Sequence, residues 1–402
     1  MYIGIDDTDS KEGMCTTYLA KLIIDRFGCE GYPRLIRLNP NIPYKTRGNG
    51  ALNLISDGNK DEIIELFMKY SHHGKENTNP GIVFIEKVPS SLKDFAIKAL
   101  HENIAIKEAL GYIEKNKIEH FALGNKRGLV GALAAVGMEL SDHTYELITY
   151  RERSKFGKKR EIDVKTVIEM DRKYYPLIFD NYDYRNKHLC IAPNSPCPVL
   201  YGIRGESPEI LEKAQKMIKS EKIDKKQIFL TNQATDMHVV NKKIQEIKEF
   251  SSVVVKGKVS ESPKTIEGGH VIFKIKDAHE IFCAAYEPTK EFRNVIRKLI
   301  VGDVVRVYGG VKYTKGLTIN LEKIEILKLT RIYRVWKEKC FCGGTLKSRG
   351  KGVYKCKKCG KKINLKKIEV KRDIKEGFYE VPPCARRHLS KPLCRYRRLR
   401  QS

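Results

Sequence analysis

Three carboxylates, Asp6, Asp7 and Asp9, stand directly behind a short apolar run, Tyr2, Ile3 and Ile5, that reads as a buried strand. Carboxylates bunched at a strand end repel one another, and hard oxygen ligands of this kind suit Mg²⁺, which usually arrives with substrate phosphates. Gly13 permits a tight turn, and Thr16 or Thr17 can cap a helix carrying Leu19, Leu22, Ile23 and Phe27 at helical spacing. The same aspartates would also serve an Asx-rich turn with no ligand. Farther on, Lys45, Thr46, Arg47, Gly48, Asn49 and Gly50 put two cations beside glycines that let backbone approach a ligand closely. Lys45 and Arg47 are the phosphate-clamp candidates, and a plain basic hairpin turn is the competing reading. No GxxxxGK[ST] loop is present.

A third constellation is sulfur. Cys340, Cys342, Cys356 and Cys359 form two short knuckles, each followed by a glycine, and four thiolates so spaced suggest a tetrahedral structural zinc. The first knuckle is CxC where CxxC is usual, which leaves Cys384 or Cys394 as substitute ligands.

The elements that must position these groups alternate. Strands are expected at 34–38, 51–55 and 81–85, helices at 61–70 and 91–112, and a first small α/β unit ends near 115. A second unit starts at His120, where small residues between 120 and 137 let a helix lie close to a sheet. The basic turn 155–160 separates a strand at 145–150 from residues 164–170, with a hairpin as the simplest connection. Beyond Phe250, five short strands with one helix at 292–299 after the third follow the order of an OB-fold, a frequent carrier of RNA contacts.

The chain has 402 residues and a net charge of +28, so a polyanionic partner is expected. From Arg331 to Ser402 there are 24 Lys or Arg against 5 Asp or Glu, so 24 − 5 = +19 lies in the last 72 residues. Arg386, Arg387, Lys391, Arg395, Arg397 and Arg398 are the expected phosphate contacts there. No apolar run approaches the roughly 20 residues of a membrane span. No signal peptide or membrane partner is expected, and eleven cysteines without a secretory leader read as thiols and metal ligands in the cytoplasm.

The segments 4–10 (GIDDTDS), 13–18 (GMCTTY) and 33–50 (PRLIRLNPNIPYKTRGNG) closely resemble the archaeal isoleucine-tRNA 2-agmatinylcytidine synthetases, and the likeness spans nearly the whole chain. It implies a multidomain α/β and α+β protein: a kinase-like catalytic domain for ATP and Mg at 1–115, a ferredoxin-like domain at 116–245, an OB-fold at 246–330, and a zinc ribbon with a basic tRNA-binding tail at 331–402. It implies an ATP-dependent ligase that joins agmatine to the wobble cytidine of the isoleucine tRNA with a CAU anticodon, releasing AMP and diphosphate, with Thr16 or Thr17 phosphorylated. Agmatine needs carboxylates for its guanidinium and an aromatic wall, and Tyr182, Asp183, Tyr201 and Asp236 are of suitable type. A non-enzymatic RNA-binding protein is the alternative. It would have no use for an aspartate cluster facing a cationic glycine loop.

Overall fold

The computed structural model describes residues 1–45, 48–74, 78–335, 339–350, 352–364 and 367–398. Thr46 and Arg47 lie outside them. Of Arg397 and Arg398 only the backbone is described.

The first part of the chain runs β1 (Tyr2–Asp6), α1 (Thr16–Phe27), β2 (Arg34–Arg37), β3 (Gly50–Ile55), α2 (Lys60–Tyr70), β4 (Gly81–Ile85), α3 (Ser91–His101), α4 (Ile106–Asn116), β5 (Glu119–Ala122) and α5 (Gly128–Gly137). Successive side chains of a strand face opposite ways. Accordingly Ile3, Ile5, Leu52 and Leu54 pack under α1 and α2, while Ala51, Val83 and Ile85 meet α3 and α5. Gly4 lies against α5, where a Cβ would come within 2.1 Å of the Ala132 carbonyl oxygen. Glycine and alanine on both sides set that close approach.

The second part supplies β6 (Thr144–Arg151), α6 (Val164–Tyr174), β7 (Ile178–Phe179), the short pair β8 (Tyr182–Asp183) and β9 (His188–Leu189), β10 (Val199–Gly205), α7 (Pro208–Gln215) and β11 (Ile223–Thr231). Its main strands order as β11-β6-β10-β7, and β11 runs parallel to β2, pairing Leu230 with Arg34 and Thr231 with Leu35. Among the described residues this makes one sheet of nine strands, β5-β4-β1-β3-β2-β11-β6-β10-β7.

Three expectations change. Residues 164–174 are a helix, so no hairpin joins them to β6; Asp163 caps it by accepting from the Lys165 amide at 2.9 Å, and Thr166, Val167, Met170 and Asp171 give it one buried face. The 91–112 periodicity is broken at 102–105 into α3 and α4. The expected boundary at 115 falls ahead of β5, which pairs with β4, and of α5, which covers β1.

The barrel follows with β12 (Val240–Asn241), β13 (Ser252–Thr265), β14 (Val271–Lys276), β15 (Glu280–Ala285), α8 (Phe292–Arg297), β16 (Val304–Tyr313) and β17 (Leu317–Lys328). β13 pairs with both β14 and β16, closing it around an apolar interior, with α8 after the third long strand as the sequence led us to expect. β18 (Ile332–Val335) and β22 (Lys367–Val370) form a two-stranded stalk for a ribbon of β19 (Leu346–Ser348), β20 (Val353–Cys356) and β21 (Lys362–Asn364). β23 (Gly377–Glu380) returns to pair with β17, and α9 (Leu393–Arg398) ends the described chain. No helix among the described residues is long and apolar enough to cross a membrane.

Barrel, sheet and returning chain meet at Glu322. Its carboxylate lies 3.2 Å from His238 Nε2 and 3.3 Å from Arg387 Nη1. Burial alone would raise its pKa, but His238, Arg387 and Lys323 outweigh burial and hold it down at about 2. A depressed carboxyl contributes stability above its unfolded value, about 4.3, that is lost as pH falls toward the folded one. The Tm difference between wild type and Glu322→Gln should therefore be widest near neutrality and close between pH about 4.3 and about 2 in a pH series of thermal melts. A gap independent of pH would refute the assignment.

Candidate active site

A cavity of about 320 Å³ opens over the seam of the sheet. Asp6, Asp7 and Asp9 line one side, with Cys15, Thr16 and Thr17 at the start of α1 and Arg127, Gly128 and Gly131 at the start of α5. Lys45, Gly48, Asn49 and Gly50 line the other, so the acidic cluster and the glycine loop share one space. The N-terminus of α1 faces it, an arrangement that favours anions, whereas the opening amides of α5 are already paired, Arg127 with Asn125 Oδ1 at 3.0 Å and Gly128 with the Asn79 carbonyl at 2.9 Å.

The aspartates are held by backbone. The Asp7 amide donates to Asp6 Oδ1 at 2.7 Å and the Asn79 amide to Asp7 Oδ2 at 2.8 Å. Asp7 sits at φ 57° and Asn49 at φ 45°, left-handed conformations that cost energy in most residues and gather at functional sites. Gly131 is required: a Cβ there would lie 1.8 Å from Asp6 Oδ2. Burial, and then the neighbouring Asp7, push the Asp6 carboxyl well above the usual range, while Arg127 pulls it the other way. Magnesium commonly takes only one or two protein carboxylates and keeps waters and phosphate oxygens for the rest, which this lining can offer. Thr16 and Thr17 both line the cavity; Thr8 Oγ1 donates to Thr16 Oγ1 at 3.1 Å and Cys15 Sγ lies 3.1 Å from Thr17 Oγ1. Gly13 makes the turn, its carbonyl accepting from the Ser10 amide at 3.1 Å, and is not part of the wall.

Arg37, Glu146, Arg204 and His388, also on the lining, carry charge or titrate beside it. Arg204 Nε lies 3.4 Å and Arg37 Nη2 3.9 Å from the Glu146 carboxylate, and Arg204 Nη2 donates to His388 Nδ1 at 2.8 Å. Arg37, then burial, Arg204 and Lys45 keep His388 neutral, as an acceptor at Nδ1 must be. Arg127 stacks 4.0 Å above the Tyr44 ring at the mouth. Burial, with Arg387 and Lys312 nearby, lowers Lys45 to about 8. Arg160 braces the wall from behind, its guanidinium donating to the carbonyls of Pro193, Ser195, Cys197 and Val199. The one signal for these in the sequence was charge inside apolar strands, as at Glu146 and Arg204.

The four residues chosen for agmatine do not reach the cavity. Asp183 closes a local turn, accepting from the amides of Arg185 at 3.1 Å and Asn186 at 3.0 Å. Asp236 is paired with Lys323 Nζ at 2.6 Å, Tyr201 is fully buried in the second core, and Tyr182 stacks edge-on to Tyr184. The basic tail also departs from expectation. Arg386 meets Asp180, and Glu380 at 2.7 Å; Arg387 meets Asn41 at 2.6 Å; Lys391 meets Asp142 at 2.7 Å; Arg395 meets Glu206 at 2.8 Å and Asp142 at 2.9 Å. Arg386, Lys391 and Arg395 are buried. The acids that neutralise them lie up to about 250 residues away in sequence, so these side chains fasten the chain end to the body instead of waiting for phosphate.

The ribbon cysteines do gather. Sγ atoms of Cys340 and Cys359, and of Cys342 and Cys356, lie 3.5 Å apart, and all four fall within 4.8 Å of one another. Zn–S bonds of about 2.3 Å put tetrahedral sulfurs about 3.8 Å apart, so the set fits zinc. Cys384 lies against Asp183 and Cys394 beside Asp180, so neither substitutes.

Models of the TiaS TCKD domain, the TiaS FLD domain and the OB-fold nucleic acid binding domain match residues 2–63, 126–238 and 253–327. The isoleucine-tRNA 2-agmatinylcytidine synthetase TiaS of Methanocaldococcus jannaschii is 50% identical, covering 98% of each chain, and that of Archaeoglobus fulgidus 49% identical, covering 98% of this chain and 97% of its own. This chain belongs to the isoleucine-tRNA 2-agmatinylcytidine synthetase family. The crystal structure of TiaS in complex with its isoleucine tRNA and ATP is similar throughout, with TM-score 0.90, 48% identity and coverage of 98% and 97%. That of TiaS with the same tRNA, AMPCPP and agmatine gives 0.87, 46%, 98% and 96%.

If the tail is a fastening, removing Arg386 strands a buried Asp180. Arg386→Leu should then cost about 3 to 5 kcal/mol of stability, read by denaturant unfolding, without changing how RNA affinity depends on salt. A changed salt slope with full stability would return Arg386 to the phosphate contacts.

Proposed function

We propose that this chain attaches agmatine to carbon 2 of the wobble cytidine of the CAU-anticodon isoleucine tRNA, consuming ATP to AMP. The observation carrying this is the single cavity lined by the β1 carboxylates and the Lys45 loop. Four units correspond: a kinase-like domain that the β5–β4 pairing and α5 carry past the expected 115 to about 137, a ferredoxin-like domain from there to 245 whose strand order β11-β6-β10-β7 with two helices supports that name, an OB-fold at 246–330, and a zinc ribbon with its tail at 331–402. The cytoplasm, where tRNA is modified, is the proposed location.

Magnesium, held by Asp6, Asp7 and Asp9, supplies charge neutralisation for the ATP phosphates. The Thr16 and Thr17 amides opening α1, with Lys45, meet phosphate oxygens, and Arg47 is assigned to the same clamp from its place in the loop. Thr16, with Thr17 as its neighbour, is the hydroxyl proposed to take phosphate. The wobble base must leave its stack to reach the cavity. There its O2 takes one phosphoryl group of ATP, so that it leaves as phosphate when agmatine's neutral amine attacks C2 and gives up a proton; water cleaves the remaining anhydride, so the balanced products are AMP and two phosphates in place of diphosphate. Agmatine's cation calls for a carboxylate, and Glu102 is the one on the lining, away from the aspartates, that no described arginine or lysine already neutralises. The binding-protein reading gives no reason to bury Asp6 beside Asp7 in a cavity.

The deciding assay incubates the protein with ATP, Mg²⁺, labelled agmatine and tRNA transcript. Label should enter the RNA, and a transcript with uridine at the wobble position should stay unlabelled. Asp7→Asn, which tolerates the left-handed backbone, should lower turnover by about 10²–10³-fold with tRNA affinity unchanged. Equal turnover would remove Asp7 from the chemistry. Lys45 is cationic below about 8, so ATP affinity should fall as pH rises through that value, and Lys45→Arg should flatten the profile. A wild-type profile flat across that range would remove Lys45 from the phosphate clamp.

A further inference from the structure

We infer that Phe341, at the tip of the first zinc knuckle, stacks on an unpaired base of the RNA while the lysines around it hold the adjacent phosphates. This rests on the tRNA reading above and adds a contact to it. With Cys340 and Cys342 both turned toward one centre, the single residue between them has to point away. Phe341 is accordingly 99% exposed, more than any other large apolar side chain described, the next being Tyr313 at 66%. A phenylalanine in water forgoes the full gain of burial, so the position is built for a partner that covers an aromatic face.

Charge identifies that partner. Residues 339–367 contain eleven Lys or Arg and no Asp or Glu. Among the described residues Lys339, Lys347, Arg349, Lys355, Lys357, Lys358, Lys361 and Lys362 are exposed, and none of them forms an ion pair. The contrast with the tail is direct, since there Arg386, Arg387, Lys391 and Arg395 are all spent on acids of the same chain. Free cations around a bare aromatic are the makings of a single-stranded nucleic-acid contact: phosphates meet the charges, and a base meets the ring. Duplex RNA hides its base faces, so the ring selects an unpaired nucleotide.

The test uses the full chain with zinc content assayed, and two fluorescent RNA hairpins, one blunt and one with a four-nucleotide 3′ overhang. Wild type should favour the overhang by about tenfold, within the range of one base–aromatic stack. Phe341→Ala and Phe341→Leu should bind both hairpins alike, Phe341→Trp should keep the preference, and the salt dependence should be the same in all four proteins. Should Phe341→Ala lose zinc, Phe341→Leu decides. An undiminished preference in a zinc-replete Phe341→Ala or Phe341→Leu overturns the inference, as does a loss of binding to anionic vesicles with RNA binding intact. Agmatine incorporation at saturating tRNA should be unaffected by these variants. A wild type that incorporates none would count against the proposed reaction while leaving the hairpin comparison readable.

Discussion

The site depends on a short seam. Two register pairs between β2 and β11 join half-sheets that are otherwise antiparallel. The ladder is extended by a side chain: Asn232 accepts from the Arg37 amide at 2.8 Å and donates to its carbonyl at 2.9 Å, standing in for a further strand residue. That amide fixes the backbone of Arg37, whose guanidinium enters the cavity from one half toward Glu146 of the other. Parallel pairing is somewhat weaker per residue than antiparallel, and a seam this short gains from reinforcement. The chain end supplies it, with the carbonyls of His388 and Leu389 accepting from the amides of Ala234 and Asp236 at 2.7 and 2.9 Å.

Charge follows from the same arrangement. A net +28 suggested one diffuse grip on a polyanion, but the fold divides the cations by use. Arg386, Arg387, Lys391 and Arg395 neutralise acids of the same chain, and the described lysines of the ribbon are left for solvent or ligand. Coulombic steering survives only where charge is not already cancelled within a few ångströms. Among the described side chains, the ribbon therefore carries more uncancelled charge than the segment 386–395.

Sequence reasoning reached as far as local periodicity and spacing carry. The apolar runs of β1, β3 and β4, the order of the barrel strands and the two knuckles were legible because each is decided within about a dozen residues. The shared lining of Asp6, Asp7, Asp9 and the Lys45 loop was legible through motif resemblance. The helix at 164–174 was missed because Val164, Val167 and Ile168 raise β propensity, while its Asp163 cap and tertiary burial win. The agmatine residues were chosen by type, and type does not report which acids are already spent on Lys323 or on local amides. His388 was invisible for a related reason: its setting is assembled from Arg37, Lys45 and Arg204, residues spread over much of the chain.

The fastened tail shows what such buried charge is for. Removing an arginine or a carboxylate from water costs several kcal/mol, so an ion pair inside a protein often stabilises no more than a well-packed apolar pair. Four cations within ten residues nonetheless meet acids from separate elements: Asp180, Glu322, Asp142 and Glu206. An apolar segment could slide along a greasy groove, but a displacement by one residue here would leave several buried charges unmatched at once. The pairs therefore select a single docking register more than they add stability. That register puts His388, next in sequence to Arg387, against Arg204 and beside Gly48. A loop that must present backbone to a ligand needs a fixed neighbour, and the end of the chain provides one.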